Sequence, residues 1–222
     1  MVSPVSPSPP GADPFDRTAR RAQRRRAIPG ADFLARELAA ELAARVAVAG
    51  PSFAIVADIG GSGVVGDVQT VRIDVAATGG VGLIADEDRL PLADGSVDLV
   101  AALVGGTTLA EVRADLLAAE VAVTGRAAAR VLPMVDPAAA PGLLQRAGFA
   151  DPVVEVDTLT LRYDDLGGVL RDLRAAGAGN ILRGREPLRR DVLTDAAARF
   201  AARAVGGRVA VTVQVIYLTG RG

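Results

Sequence analysis

Apolar residues fall at two spacings along this chain, and the spacings divide it into elements. Leu34, Leu38, Leu42 and Val46 recur every four residues, which predicts a helix over 32–48 with one apolar stripe. Asp32 suits its N-cap, and Gly50-Pro51 stops it. Within Phe53 to Gly63, the apolar run Ala54 to Ala57 ends in Asp58 and breaks into Gly60, Gly61, Ser62 and Gly63, the pattern of a buried strand delivering the chain to a glycine turn. Further strands are predicted over 70–75, 81–84 and 97–104, the last apolar enough to be covered on both faces. Thr108 and Glu111 have capping-box spacing for a helix over 108–121, whose stripe Leu109, Val112, Leu116 marks it for packing. Asp136-Pro137 opens another helix, closed at Gly148. Beyond it, 153–163 and 208–218 alternate with the period of strands, and helices over 166–176 and 191–205 lie between them. The two strands are expected to pair antiparallel. The fold class read from this pattern is α/β, a mostly parallel sheet followed by a C-terminal antiparallel hairpin.

The ends of the pattern are less regular. Residues 1–14, rich in Pro and Ser, are expected to be a disordered tail. Residues 15–30 carry Arg17, Arg20, Arg21, Arg24, Arg25 and Arg26, read as a solvated lead-in to a single domain over 31–222. A phosphate or acidic-partner contact is the functional alternative for these arginines.

Composition narrows the chemistry. Half of the 222 residues are hydrophobic but only 3% are aromatic, so the core must be built from Ala, Val and Leu. The chain contains no Cys, no His and no Lys. A Ser-His-Asp triad, thiolate or histidine metal sites, Schiff-base chemistry and a phosphate-loop lysine therefore fall away, and no metal is expected. A formal net charge of −1 argues against a dedicated nucleic-acid binder. No apolar run is long enough for a membrane span and no secretory core is present, so a cytoplasmic protein is expected, with a mitochondrial presequence as the minor alternative.

Four pieces stand in order: Asp58 with Gly60, Gly61 and Gly63 after the first strand; Asp74 ending the second; Asp86-Glu87 before Leu90-Pro91-Leu92; and the strand beginning Val97-Asp98-Leu99-Val100. In this order they resemble a class I S-adenosylmethionine-dependent methyltransferase. The segments GGTTLAEVRADLLAAE (105–120), LLQRAGFADPVVEVDTLTLRY (143–163), LRDLRAAGAGN (170–180) and VTVQVIYLTG (211–220) look like one branch of that superfamily. It contains the malonyl-carrier-protein O-methyltransferases of biotin synthesis and the complex I assembly factor described as an arginine hydroxylase. The second is the nearer in its Phe15-Asp16-Arg17 and the arginines that follow.

The resemblance implies a Rossmann-like fold, S-adenosylmethionine as cofactor and a protein or carrier-protein substrate. It also implies roles: the glycine backbone for the methionine end, Asp74 for the ribose hydroxyls, and Asp86 or Glu87 for the adenine amino group. No catalytic residue is assigned; a base, where one is needed, would be Asp, Glu or Tyr. Two departures go with it. Eleven residues, Ile59 to Gln69, separate the first two strands, where a parallel crossover needs roughly a dozen or more. The strand over 97–104 runs directly into Gly105-Gly106-Thr107-Thr108-Leu109, so one helix–strand unit of the family is expected to be lacking. The alternative function is accordingly a catalytically degenerate methyltransferase fold serving as an assembly or interaction factor.

Overall fold

The computed structural model describes residues 13–28, 33–49, 55–59, 69–77, 81–86, 89–93 and 99–221. Its elements are α1 (Arg17–Arg26), α2 (Phe33–Ala49), β1 (Ile55–Ile59), β2 (Gln69–Asp74), β3 (Leu83–Ile84), β4 (Leu99–Gly105), α3 (Ala110–Thr124), α4 (Ala140–Arg146), β5 (Ala150–Tyr163), α5 (Leu166–Ala175), α6 (Arg190–Ala201) and β6 (Val209–Arg221). Among the described residues these strands form two three-stranded sheets: a parallel one, as expected for the first strands, and an antiparallel one that holds the expected C-terminal pair together with β4, which the sequence pattern assigns to the parallel sheet. β1-β2-β3 is parallel throughout, and β4-β6-β5 is antiparallel throughout. The difference turns on β4, which pairs along its whole length with β6, from Leu99 opposite Gly220 to Gly105 opposite Gln214.

The antiparallel pairing of β5 with β6 runs from Ala150 to Tyr163, with one irregularity between Ala150 and Val153, as the alternation predicts. β6 is the central strand and is packed on both faces. Val213, Val215 and Tyr217 are buried against the α2 stripe of Leu34, Leu38 and Leu42, together with Leu159 and Leu161 of β5. Ile216 and Leu218 project the other way onto Ala140, Leu144 and Phe149 of the α4 region. The largest cluster gathers Val112, Leu116 and Ala119 of α3, Leu166 and Val169 of α5, Val192, Ala196 and Phe200 of α6, and Val209 and Val211. The apolar stripe of 109–116 is therefore packed, as its spacing implies.

Three local readings change. The Thr108–Glu111 capping box does not form: α3 begins at Ala110 behind Leu109, whose φ is 57°, with no side-chain cap. Both residues instead staple the start of α3 to β6. The Thr108 hydroxyl donates to the Gly105 and Gln214 carbonyls and accepts from the Gln214 amide, while Glu111 accepts from the Thr212 hydroxyl and amide. The last long helix ends at Ala201, and Gly206 and Gly207, with φ of +60° and +79°, turn the chain into β6. Asp13 and Pro14, counted with the tail, are already held by Arg183, which donates to both their carbonyls.

The arginine segment forms a helix of its own. Asp16 caps α1 by accepting from the Ala19 amide, and three arginines lie in its last turn, where they face the negative end of the helix dipole. The helix is docked on the segment after α5. Asp16 donates its amide to the Ile181 carbonyl, Ile28 to Ala175, and the Gln23 side chain to Asn180. Gly177, at φ +67°, permits this approach, because a Cβ there would lie 3.1 Å from the Gln23 carbonyl oxygen and 3.2 Å from the Arg24 Cα. From this platform α1 reaches the parallel sheet. Arg24 pairs with Asp74 at 2.7 Å, with side chains only 16% and 3% exposed, and Arg21 pairs with Asp86 at 2.7 Å.

Two predictions follow from this packing. Breaking a mostly buried ion pair leaves an uncompensated charge, so Arg24→Met or Asp74→Asn alone should cost on the order of 3 kcal/mol in urea unfolding. The double variant should cost clearly less than the sum; additive losses would mean that the pair does not couple. At the β4 end, Gly106 has φ +54° and a Cβ there would sit 1.6 Å from the Gln214 Oε1. Gly106→Ala is therefore expected to destabilise by about 1–3 kcal/mol, whereas Gly125→Ala, also left-handed but with open space around it, should cost only the backbone strain.

Candidate functional site

The carboxyl end of the parallel sheet gathers two of the predicted site residues. Asp74 is the last residue of β2 and lies opposite Ile84 of β3. The Ala85 amide donates to the Asp74 carbonyl at 3.0 Å, which sets Asp86 immediately beside it. Asp58 is the penultimate residue of β1, in register with Arg72. Gly60, Gly61, Gly63 and Glu87 lie outside the described residues. Crevices beyond the carboxyl ends of parallel strands are where such sheets bind ligands, and Asp74 and Asp86 stand there as neighbouring acceptors.

Neither carboxylate is solvated in the way a loop acid would be. Asp74 is 4% exposed, and Arg24 and Arg21 meet the Oδ2 atoms of Asp74 and Asp86. Sequence reading missed these arginines by treating the segment as solvated. The signal was present: Arg17, Arg21 and Arg24 fall at i, i+4 and i+7 behind the N-cap acid Asp16, which is one face of a helix. An ionised carboxylate offers about four acceptor positions, so a guanidinium on one oxygen does not by itself exhaust it. The acceptor chemistry therefore suits a ligand carrying hydroxyl and amino donors, which would have to share the site with α1 or displace it.

The Gly105–Leu109 corner builds a second recess, about 250 Å³ in volume. Gly106, Thr107 and Thr108 line it from the end of β4, Arg113 and Leu117 from α3, and Met134 from the loop that follows. Gly105 has no room for a side chain, since a Cβ would lie 2.7 Å from the Ile216 Cδ1. Close by, burial pushes the Glu111 carboxyl up, but its bonds from Thr212 and the charge of Arg203 outweigh that and hold it below the usual range. It is therefore a fixed anion at neutral pH, not a proton donor.

Both tyrosine phenols are held in the neutral form at neutral pH. Burial, joined by Asp172, pushes the Tyr163 phenol up to about 12. Burial likewise raises Tyr217, over whose ring the Arg45 guanidinium sits 3.7 Å from the centroid. Among the described residues no three acidic side chains converge as metal ligands would, and no helix is long and apolar enough to cross a membrane.

Comparison with known proteins bears on what these features descend from. No family model matches the chain. A malonyl-[acyl-carrier protein] O-methyltransferase of Methylovorus sp. (strain MP688) is 33% identical over 60% of this chain and 54% of its own length. The protein of the same name from Laribacter hongkongensis (strain HLHK9) is 30% identical with the same coverage. The mitochondrial arginine-hydroxylase NDUFAF5 of Mus musculus is 27% identical over 97% of this chain and 79% of its own. The chain thus spans about half the length of the methyltransferases that it matches. Its alignment with the mouse protein runs over 271 positions, more than the 222 residues of the chain, so residues of the mouse protein inside the aligned stretch have no counterpart here. The resemblance read from the motifs stands: this chain is a divergent relative of the malonyl-[acyl-carrier protein] O-methyltransferases and of the arginine-hydroxylase NDUFAF5.

Proposed function

We propose that the chain is an S-adenosylmethionine-binding, methyltransferase-like protein that acts on a protein or carrier-protein substrate. The observation that carries this reading is the adjacency of Asp74 and Asp86 beyond β2 and β3, where two ligand-accepting carboxylates are required. Asp74 would accept from the ribose hydroxyls and Asp86, with Glu87, from the adenine amino group; Asp58, Gly60, Gly61 and Gly63 would line the methionine end. When bound, the cofactor supplies an electrophilic methyl group on a sulfonium. Transfer from it depends mainly on proximity and orientation, which this chain can provide without histidine. The names of the relatives support a methyltransferase and, for the bacterial ones, a carrier-protein substrate.

In the same reading, residues 31–222 are one Rossmann-like domain that lacks a helix–strand unit, with the arginine segment of 15–30 laid over it. β4 leads directly into Gly105-Gly106-Thr107-Thr108-Leu109, so in this reading it stands where the resemblance would put a later strand of the family. The mouse alignment, longer than the chain itself, supports such a loss.

One observation favours a second reading. The arginines of α1 already occupy both carboxylates. The fold would then be a catalytically degenerate one in which arginine has replaced the cofactor as the partner of Asp74 and Asp86, leaving an assembly or interaction factor.

Calorimetric titration with S-adenosylmethionine separates the two. The cofactor reading expects saturable binding by the wild-type chain. It expects binding weakened about tenfold or more in Asp74→Asn, and tightened in Arg24→Met, where the carboxylate is released. No heat at millimolar ligand from either the wild type or a folded Arg24→Met variant would abandon it in favour of the degenerate fold. Binding that Asp74→Asn leaves unchanged would overturn the assignment of the ribose acceptor alone.

A further inference from the structure

Helix α1 meets two parts of the molecule in two different ways. Its ends are fastened by backbone to the segment that begins at the end of α5. On the N-terminal side the Asp16 amide donates to the Ile181 carbonyl at 2.7 Å and the Arg183 amide to the Pro14 carbonyl at 2.8 Å, with Phe15 and Leu182 bridged between them. On the C-terminal side the Ile28 amide donates to the Ala175 carbonyl at 2.9 Å. Between these ends Gly177 and Gly179 admit Gln23 closely: Cβ atoms there would lie 3.1 Å from its carbonyl oxygen and 3.0 Å from its Oε1.

Contact with the parallel sheet is of another kind. Arg21 and Arg24, three residues apart on one face of the helix, reach Asp86 and Asp74 by side chain. Among the described residues no backbone hydrogen bond joins α1 to that sheet. Apolar packing does not hold the helix there either: none of its residues is buried, and none belongs to an apolar cluster of the described residues. Arg21 and Asp86 are 42% and 23% exposed, and a pair so accessible to water contributes little. Arg24 and Asp74 are shielded, but desolvation offsets much of their attraction. Helix and sheet are thus held together by two arginine side chains, whose withdrawal breaks no backbone bond of the seat.

We propose that Arg21 and Arg24 are an autoinhibitory latch: closed, they occupy Asp74 and Asp86, and open, they present both carboxylates to a ligand while the rest of the chain stays folded. Contacts of this polar, accessible kind belong to the least stable part of a structure and open locally. A ligand that donates hydroxyl and amino hydrogens to the two carboxylates competes with the guanidiniums, so its apparent affinity is reduced by the fraction of closed molecules. Salt screens the separated charges and favours the open state. For the identity of the ligand the latch rests on the cofactor reading; the exchange of Asp74 between a paired and an accessible state does not. It differs from the degenerate fold in being reversible.

Carboxylate labelling of the full chain with a water-soluble carbodiimide and glycinamide, located by peptide mass, reads the latch without any ligand. Relative to the exposed Asp151, Asp74 should be labelled slowly at about 0.01 M salt and faster at about 1 M, where the screening length falls from about 30 Å to about 3 Å. The expected rise is about threefold or more, the scale of a screened ion pair. In Arg21→Met/Arg24→Met, folded by circular dichroism, labelling should be fast at both salt concentrations. Adenosine, uncharged and carrying both kinds of donor, then reads the site by calorimetry. Its affinity should rise with salt in the wild type and be about tenfold or more tighter, and independent of salt, in the double variant. Asp74 that stays unlabelled at high salt and in the double variant overturns the latch. Labelling as expected with adenosine bound equally by both forms overturns its inhibitory role. Labelling as expected with no adenosine bound by either form supports the latch and overturns the cofactor reading. Should the double variant lose its fold, Arg21→Met alone should speed the labelling of Asp86, and unchanged labelling there overturns the latch.

Discussion

The contact on which the arrangement depends is the ion pair between Arg24 and Asp74. Asp74 sits at the end of β2 with almost no solvent exposure, and an unpaired carboxylate in that position would be costly. Its partner comes from a helix docked on the end of α5 and the turn after it. The pair therefore does two things at once. It compensates a buried charge, and, with Arg21–Asp86, it ties the parallel sheet to the α/β layer built on β6. Any ligand that uses Asp74 must contend with a guanidinium already there, which couples ligand binding to the seating of α1.

How much of this the sequence discloses depends on the kind of interaction. Apolar periodicity reports elements that pack with apolar faces. The valines of β6, the leucine stripe of α2 and the packing of Val112 and Leu116 were legible for that reason. Helix α1 has no such stripe. Its fixed face is arginine, and its partners are two aspartates at least fifty residues away, so no local pattern points to them. Thr108 and Glu111 illustrate the same limit. Their spacing is that of a capping box, but β6 offers both side chains better-placed partners in Gln214 and Thr212, and tertiary bonding displaces the local one.

The carboxylates of the candidate site were legible as an ordered set, because acids ending successive strands are a pattern in the sequence. Their occupancy was not. The order of Asp74 and Asp86 along the chain fixes that they adjoin across β2 and β3, whereas what they bind is decided by a helix that precedes them both. The two sheets were likewise hidden in the strand pattern. An apolar strand such as β4 reads the same whether its neighbour is parallel or antiparallel, and its choice of β6 is set by pairing across more than a hundred residues.

That long-range pairing has a bearing on how the molecule is made. β6 is the middle strand of its sheet, yet it follows both of its neighbours in the chain. Until it emerges, β4 and the fourteen residues of β5 have no strand between them, and their amides and carbonyls stay open to other chains. Contacts of such sequence separation form late and slowly. During synthesis the molecule thus passes through a stage in which the longest of its described strands stays unprotected until β6 closes the sheet.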